Sequence, residues 1–317
     1  MQSIICTLFE GNYHYGVAAL ANSLYKHGFR GAIYAGYRGT LPDWVSSGKN
    51  SRFPDWNGGT TLEVTNDFKI HFLPLEIDWH LTNYKPNFML QLWEGPAKDA
   101  ESIFYFDPDI VNTAPWHFYQ QWASFGVALV HEIALLDMPS NHPIRGIWRN
   151  VIDKAGLKVI NNNLNSYFNG GFVGVSRGNM SFLHTWVRIF ETGKAHFQLA
   201  NNQWKHKLDR THPFQAQDQD ALNITAMCCD VPLSEMGPEA MGFVPGGWTM
   251  FHATGSVKPW NINFFKTFIS GRKIAPVHKL YWDFAEGSVI KCYSKNSIRR
   301  KKILIKIYSL LNRFYGV

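Results

Sequence analysis

At 317 residues, 45% hydrophobic and 15% aromatic, the chain can bury a large core, which excludes a disordered or fibrous protein and fits one large α/β unit or one domain with a small appendage. Its net charge of +7 is uneven: residues 299–317 carry Arg299, Arg300, Lys301, Lys302, Lys306 and Arg313 and no acid, so the body is close to neutral, which argues against a broad nucleic-acid-binding face. Cys6, Cys228, Cys229 and Cys292 have neither metal-site spacing nor a plausible disulfide framework, so a reducing compartment is expected.

Met1 to Leu8 runs straight into an apolar strand, which predicts no secretory leader, and no stretch is long enough to predict a membrane span. Residues 3–9 read as a first strand. Tyr15 to His27 reads as a helix with Val17, Leu20, Ala21 and Leu24 on one face, stopped by Gly28, and residues 31–37 read as a second strand. This strand–helix–strand opening predicts a mostly parallel sheet. At the end of the first strand, Asn12 and Tyr13 offer a base an amide and a stacking ring, in a chain where aromatic residues are plentiful. Arg38 to Asn66 is rich in Gly, Ser, Pro, Asp and Trp and is expected to be an irregular excursion, either a surface loop or part of a lid. Residues 70–75 resume strand character, and Lys85-Pro86 places a cation ahead of a helix from Asn87; a solvated lysine is the plain alternative.

Residues 102–106 form an apolar strand that ends in Asp107-Pro108-Asp109. Two carboxylates at i and i+2 can converge on one divalent cation, and a bound cation can hold a diphosphate. Asp and Pro are also ordinary turn formers, but parallel α/β folds place ligands beyond the carboxyl ends of their strands, which favours the metal reading. Further strands are expected at 127–132 and 172–175, and helices at 180–191 and 219–226. Asn169-Gly170-Gly171 is either a tight turn or a gap that admits a sugar ring beside the Asn169 amide. Asp218, Gln219 and Asp220 cluster acids and an amide ahead of a helix, where at least one acid is expected to cap it. Glu235 to Gly247 is loop-rich. Phe251 to Trp260 then supplies His252 as a third metal ligand, Gly255 for close approach of the backbone to phosphate, and Lys258 as a cation. A core histidine is the plain alternative for His252.

These motifs resemble glycosyltransferase family 8, the retaining sugar transferases that include glycogenin and the bacterial lipooligosaccharide galactosyltransferases. The resemblance runs from the first strand to about Trp260. It implies a GT-A type α/β fold with a mostly parallel central sheet and a catalytic domain over 1–270; beyond it the sequence itself reads as a basic helical extension over 271–317. By the same resemblance Asp107, Asp109 and His252 hold Mn2+ or Mg2+ on the diphosphate of a UDP-sugar, and Gly255 and Lys258 contact phosphate. Glu10, Asn12 and Tyr13 take the base, Lys85 the donor's covering segment, and Asn169 and Gly170 the sugar. Asp218 and Gln219 act near the transferred sugar, with Lys258 as the third catalytic group. Glu10 is longer than the family's acid, Gly170 replaces its Ala, and residues 38–66 depart from the family's pattern.

The implied reaction moves a galactosyl or glucosyl group from UDP to a glycan or glycolipid hydroxyl in cell-surface polysaccharide or lipopolysaccharide synthesis. A nucleotide-diphosphosugar hydrolase or a noncatalytic sugar-binding protein are the alternatives. Ile303, Ile307, Leu310, Leu311 and Phe314 recur at helical spacing with Lys302, Lys306 and Arg313 towards another face. The tail is therefore expected to lie on an anionic membrane, giving a cytoplasmic protein peripheral on the inner face; a helix packed on the body with solvated lysines is the alternative.

Overall fold

The computed structural model describes residues 2–53, 56–135, 137–200, 202–203, 211–287 and 289–314, the side chains of 312–314 excepted. In chain order the elements are β1 (Ser3–Glu10), α1 (His14–Lys26), β2 (Gly31–Arg38), β3 (Lys49–Asn50), β4 (Thr60–Thr65), β5 (Phe68–Pro74), α2 (Lys85–Glu94), β6 (Ser102–Phe106), β7 (Ile110–Asn112) and α3 (Trp116–Ser124). They continue with β8 (Val127–Val130), α4 (Pro143–Lys154), β9 (Phe172–Ser176), α5 (Ser181–Phe197), α6 (Gln217–Cys228), β10 (Leu233–Met236), β11 (Met250–His252), α7 (Phe264–Ile269), α8 (Pro276–Ala285) and α9 (Lys295–Phe314).

Nine strands form one sheet in the order β10, β8, β9, β6, β1, β2, β5, β4, β3, while β7 and β11 pair separately. β1 pairs in parallel with β2 and β6, β2 with β5, and β8 with β10; β9 runs antiparallel between β6 and β8. The central strands read as continuous apolar runs because both faces of the sheet are covered. On one face Leu8, Phe88, Trp93, Trp148 and Trp186 join the sheet to α2, α4 and α5. On the other, Ile5, Val17, Leu20, Phe104 and Trp116 join it to α1 and α3. A third cluster of Ala19, Trp260, Tyr281, Trp282 and Ile305 packs α8 and α9 against α1 and the residues after β11.

The 38–66 segment is more ordered than its composition suggests. It buries Val45 and Leu62 and adds β3 and β4 antiparallel to the sheet edge. Trp44 Nε1 donates to His14 Nδ1 at 3.1 Å and pins the segment to the start of α1. Helices α3 and α4 were not expected, and α8 was expected only as part of the helical extension. Each starts just after or at a proline, which punctuates loops but is also tolerated at a helix start, where its missing N–H would be unpaired anyway.

The direction of β9 decides where the glycine turn lies. Because Phe172 opens β9 opposite Phe106 at the end of β6, residues 169–171 sit at the carboxyl edge of the sheet beside the acids. The Asp107 N–H donates to the Gly171 carbonyl at 2.7 Å. On the other side, Gly16 of α1 lets the acid loop rest directly on the helix, since a Cβ there would lie 2.1 Å from the Pro108 carbonyl oxygen.

Candidate active site

Asp107 leaves the end of β6 and Asp109 lies one residue before β7. Register between β7 and β11 puts His252 opposite Ile110, next to Asp109. His252 Nε2 is 3.2 Å from Asp109 Oδ1 and 3.7 Å from Asp107 Oδ2. One ligand atom from each of the three residues falls within 4.8 Å of the others. Two carboxylate oxygens and one imidazole nitrogen suit a divalent cation of borderline hardness. The ring is held by shape as well: a Cβ on Gly171 would lie 2.4 Å from His252 Cε1, and the buried Nδ1 has no hydrogen-bond partner. The residues present therefore fit a divalent metal.

Two lysines, Lys85 buried and Lys258 half-buried, balance the acids. Lys258 Nζ donates to Asp109 Oδ2 at 2.5 Å and to the Ala253 carbonyl at 2.9 Å. Lys85, at the first turn of α2 and 1% exposed, donates to Asp218 Oδ2 and to the Gly170 carbonyl, both at 2.8 Å, and lies 3.2 Å from Asp107 Oδ1. Burial alone would lower both lysine pKa values, but Asp107 and Asp218 around Lys85, and Asp109 beside Lys258, outweigh it and raise them. Burial likewise works to raise the Asp109 pKa, yet His252 and Lys258 hold its carboxyl well below the usual range.

The glycine turn and the start of α6 interlock. Gln219 Oε1 accepts from the Gly170 N–H at 3.1 Å, and Asn169 Oδ1 accepts from the Gly171 N–H at 2.8 Å. Asp218 and Asp220 both lie in the first turn of α6, and the capping role falls to Asp220, whose Oδ2 accepts from the Ala216 N–H at 2.7 Å. Its Oδ1 accepts from the Tyr167 hydroxyl at 2.8 Å. Burial pushes the Asp220 pKa up to about 7 against these hydrogen bonds.

At the far end, Tyr13 packs edge-on against Trp260, ring centres 5.2 Å apart, and its centre lies 5.8 Å from Lys258 Nζ. The Tyr13 hydroxyl pKa is raised by burial first, with Lys258 opposing and Asp109, Asp107 and Glu10 adding to the rise, so its charged neighbours are the site itself. Asn12 is exposed. Glu10 turns to Arg38, whose Nη2 is 2.7 Å from Glu10 Oε2. Gly255, at φ +94° with open space around its Cβ position, is exposed and makes no contact with the acids.

Four neighbours escaped sequence reasoning: Tyr105, which donates to Asp107 Oδ1 at 2.8 Å; Arg38; Tyr167; and Glu132, which accepts from Asn169 Nδ2 at 2.5 Å. Glu132 carried the signal that exposed Asp107, an acid closing an apolar strand-like run.

No protein-family model and no curated protein sequence matches the chain. Solved structures do. The galactosyltransferase LgtC in complex with donor and acceptor sugar analogues aligns with a TM-score of 0.51 and 14% identity over 94% of this chain and 99% of that one. The WbbM bifunctional glycosyltransferase in its apo structure gives 0.52 and 12% over 95% of this chain, which spans about half (52%) of WbbM. GlyE of Streptococcus pneumoniae TIGR4, also a glycosyltransferase, gives 0.50 and 12% over 98% of this chain and 64% of that one. At these identities the likeness is one of fold: a mixed α/β architecture of GT-A type built on a mostly parallel central sheet.

Proposed function

We propose that this chain is a metal-dependent retaining glycosyltransferase that moves a galactosyl or glucosyl group from a UDP-sugar to a glycan or glycolipid hydroxyl. The observation that carries the reading is the convergence of Asp107, Asp109 and His252 within 4.8 Å, with Lys258 on Asp109, at the carboxyl edge of the parallel strands. The base stacks on Tyr13 near Asn12 and Glu10, and the diphosphate lies between Tyr13 and the acids, where Lys258 and the backbone at Gly255 face it. Mn2+ or Mg2+ held by Asp107, Asp109 and His252 would offset the charge that develops on departing UDP.

The sugar lies over Asn169 and Gly170. Lys85 fixes the Asp218 carboxylate, and Asp218 and Gln219 orient the ring and stabilise its cation-like transition state. The acceptor oxygen attacks the anomeric carbon on the face that UDP leaves. The bond from that carbon to the phosphate oxygen breaks, and the acceptor proton passes to the departing oxygen, so the configuration is retained without a protein nucleophile.

A panel of UDP-, GDP- and CDP-sugars with Mn2+, read as thermal stabilisation and followed by product NMR, tests this. UDP-hexoses should stabilise the protein, Asp109→Asn should lose the metal-dependent part, and the product should keep the donor's anomeric configuration. Stabilisation by a non-uridine donor alone overturns the donor assignment, and full-rate consumption by water without acceptor marks a hydrolase.

A further inference from the structure

We propose that α7 and α9 form a docking surface for an anionic lipid bilayer. α9 is fixed to the body by one face. Ile298 and Ile305 are buried, Tyr308 packs on Phe268 with ring centres 5.6 Å apart, and Lys301 Nζ lies 5.4 Å from the ring centres of both Phe264 and Trp282. Lys302, which the sequence assigned to the charged outer side, instead pairs with Asp283 at 2.9 Å and Glu286 at 2.5 Å.

The opposite face is bare. Ile303, Ile307 and Leu310, spaced by four and three residues, form one stripe with exposures of 47%, 47% and 53%. At 100° per residue Arg299 and Lys306 flank it on one side and Arg300 on the other, all three exposed. Arg313 and Phe314 continue the sequence pattern, but their side chains lie outside the described residues. α7, packed alongside, adds Phe265 at 57% and Ile269 at 66% exposure. Between the helices opens a groove of about 590 Å³ with Phe265, Arg300, Leu304 and Tyr308 on its walls.

Charge identifies the occupant. Residues 263–317 hold twelve lysines and arginines and only two acids, Asp283 and Glu286, a net +10 that leaves −3 for the rest of the +7 chain. Both acids are engaged by Lys302. An apolar stripe between cations, on a molecule otherwise slightly acidic, matches acyl chains under phosphate headgroups better than a neutral apolar partner. Among the described residues no helix is long and apolar enough to cross a membrane, so the contact is a surface one. Lys258 lies six residues before Phe264, the first residue of α7, so docking would hold the phosphate-facing wall of the site near the bilayer.

Vesicle co-sedimentation of the full chain, without any sugar nucleotide, tests the surface apart from the transferase reading. The protein should bind phosphatidylcholine vesicles only when they contain phosphatidylglycerol, and salt should weaken binding. Arg299→Gln/Arg300→Gln/Lys306→Gln should weaken it about 100-fold, which is about 3 kcal/mol at 1.4 kcal/mol per decade. Ile303→Ser/Ile307→Ser/Leu310→Ser should weaken it at least 10-fold with an unchanged circular dichroism spectrum, and Lys302→Gln should change it less than 2-fold. Equal binding to neutral vesicles, indifference to either triple substitution, or loss in Lys302→Gln as large as in the triples overturns the proposal. So does lipid-free self-association that the apolar triple abolishes, since the face would then be a contact between copies.

Discussion

Replacing Lys85 with Met keeps most of the stem and removes only the ammonium, which makes it the sharpest probe of the buried charge cluster. The ammonium is 2.8 Å from Asp218 and 3.2 Å from Asp107. At an effective dielectric constant of about 20 these distances correspond to roughly 6 and 5 kcal/mol of attraction before desolvation is subtracted. Lys85 is 1% exposed, whereas the Asp107 and Asp218 side chains keep 19% and 12%, so water can compensate part of the loss. Breaking a buried pair by removing one partner costs about 3–5 kcal/mol, and the remaining solvent contact puts Lys85→Met near about 3. Urea unfolding at pH 7 measures it. Lys85→Met/Asp218→Asn should regain about half of that loss, because one of the two stranded carboxylates becomes a neutral amide. A cost below about 1 kcal/mol, or a double variant less stable than the single one, would falsify the view that Lys85 is the counter-ion holding α2, β6 and α6 together.

The two turn glycines should respond in opposite degree. Gly171→Ala drives a Cβ to 2.4 Å from His252 Cε1 and should lower Mn2+ affinity more than ~10-fold, whereas Gly170→Ala meets only Asp218 Oδ2 at 3.0 Å and should change it less than ~3-fold; isothermal titration with Mn2+ and UDP checks the order. Gly16→Ala, whose Cβ would meet the Pro108 carbonyl at 2.1 Å, should cost about 1–3 kcal/mol and weaken metal binding as the acid loop is pushed away, and unchanged values of both would sink that account. Asp220 has a folded pKa raised to about 7 from 3.8, so its contribution is present below about pH 4 and is lost as pH rises towards 7. Asp220→Asn can keep both hydrogen bonds, accepting from Ala216 and donating to the Tyr167 oxygen, and should be more stable than the parent above pH 7 by on the order of 1–3 kcal/mol; melting curves from pH 5 to 8 that remain parallel contradict this.

Local pattern was enough for the elements that frame the site. The apolar run of 102–106 fixed a strand whose end had to carry Asp107 and Asp109 out of the core, and the helical face of Val17, Leu20 and Leu24 fixed α1. Burial repeats with the period of the backbone, so a short window of sequence is sufficient to read it. The segment of His252, Gly255 and Lys258 was legible as chemistry, but its meeting with the acids depends on the pairing of β7 with β11, 138 or more residues apart in the chain. The antiparallel direction of β9 brings Asn169, Gly170 and Gly171 to the acids, and a parallel β9 would have carried them to the opposite edge. Side-chain partners were decided later still. Lys85 reads in sequence as a solvated cation or a donor contact, and only the packing of α2 against β6 and α6 buries it between Asp107 and Asp218. Lys302 lies on the charged side of its helix by periodicity, yet Asp283 and Glu286 of the neighbouring segment draw it inward, leaving Arg299, Arg300 and Lys306 as the outer cations. Periodicity states which face is buried; strand order, strand direction and the neighbour across an interface come from long-range packing, which no window of sequence contains.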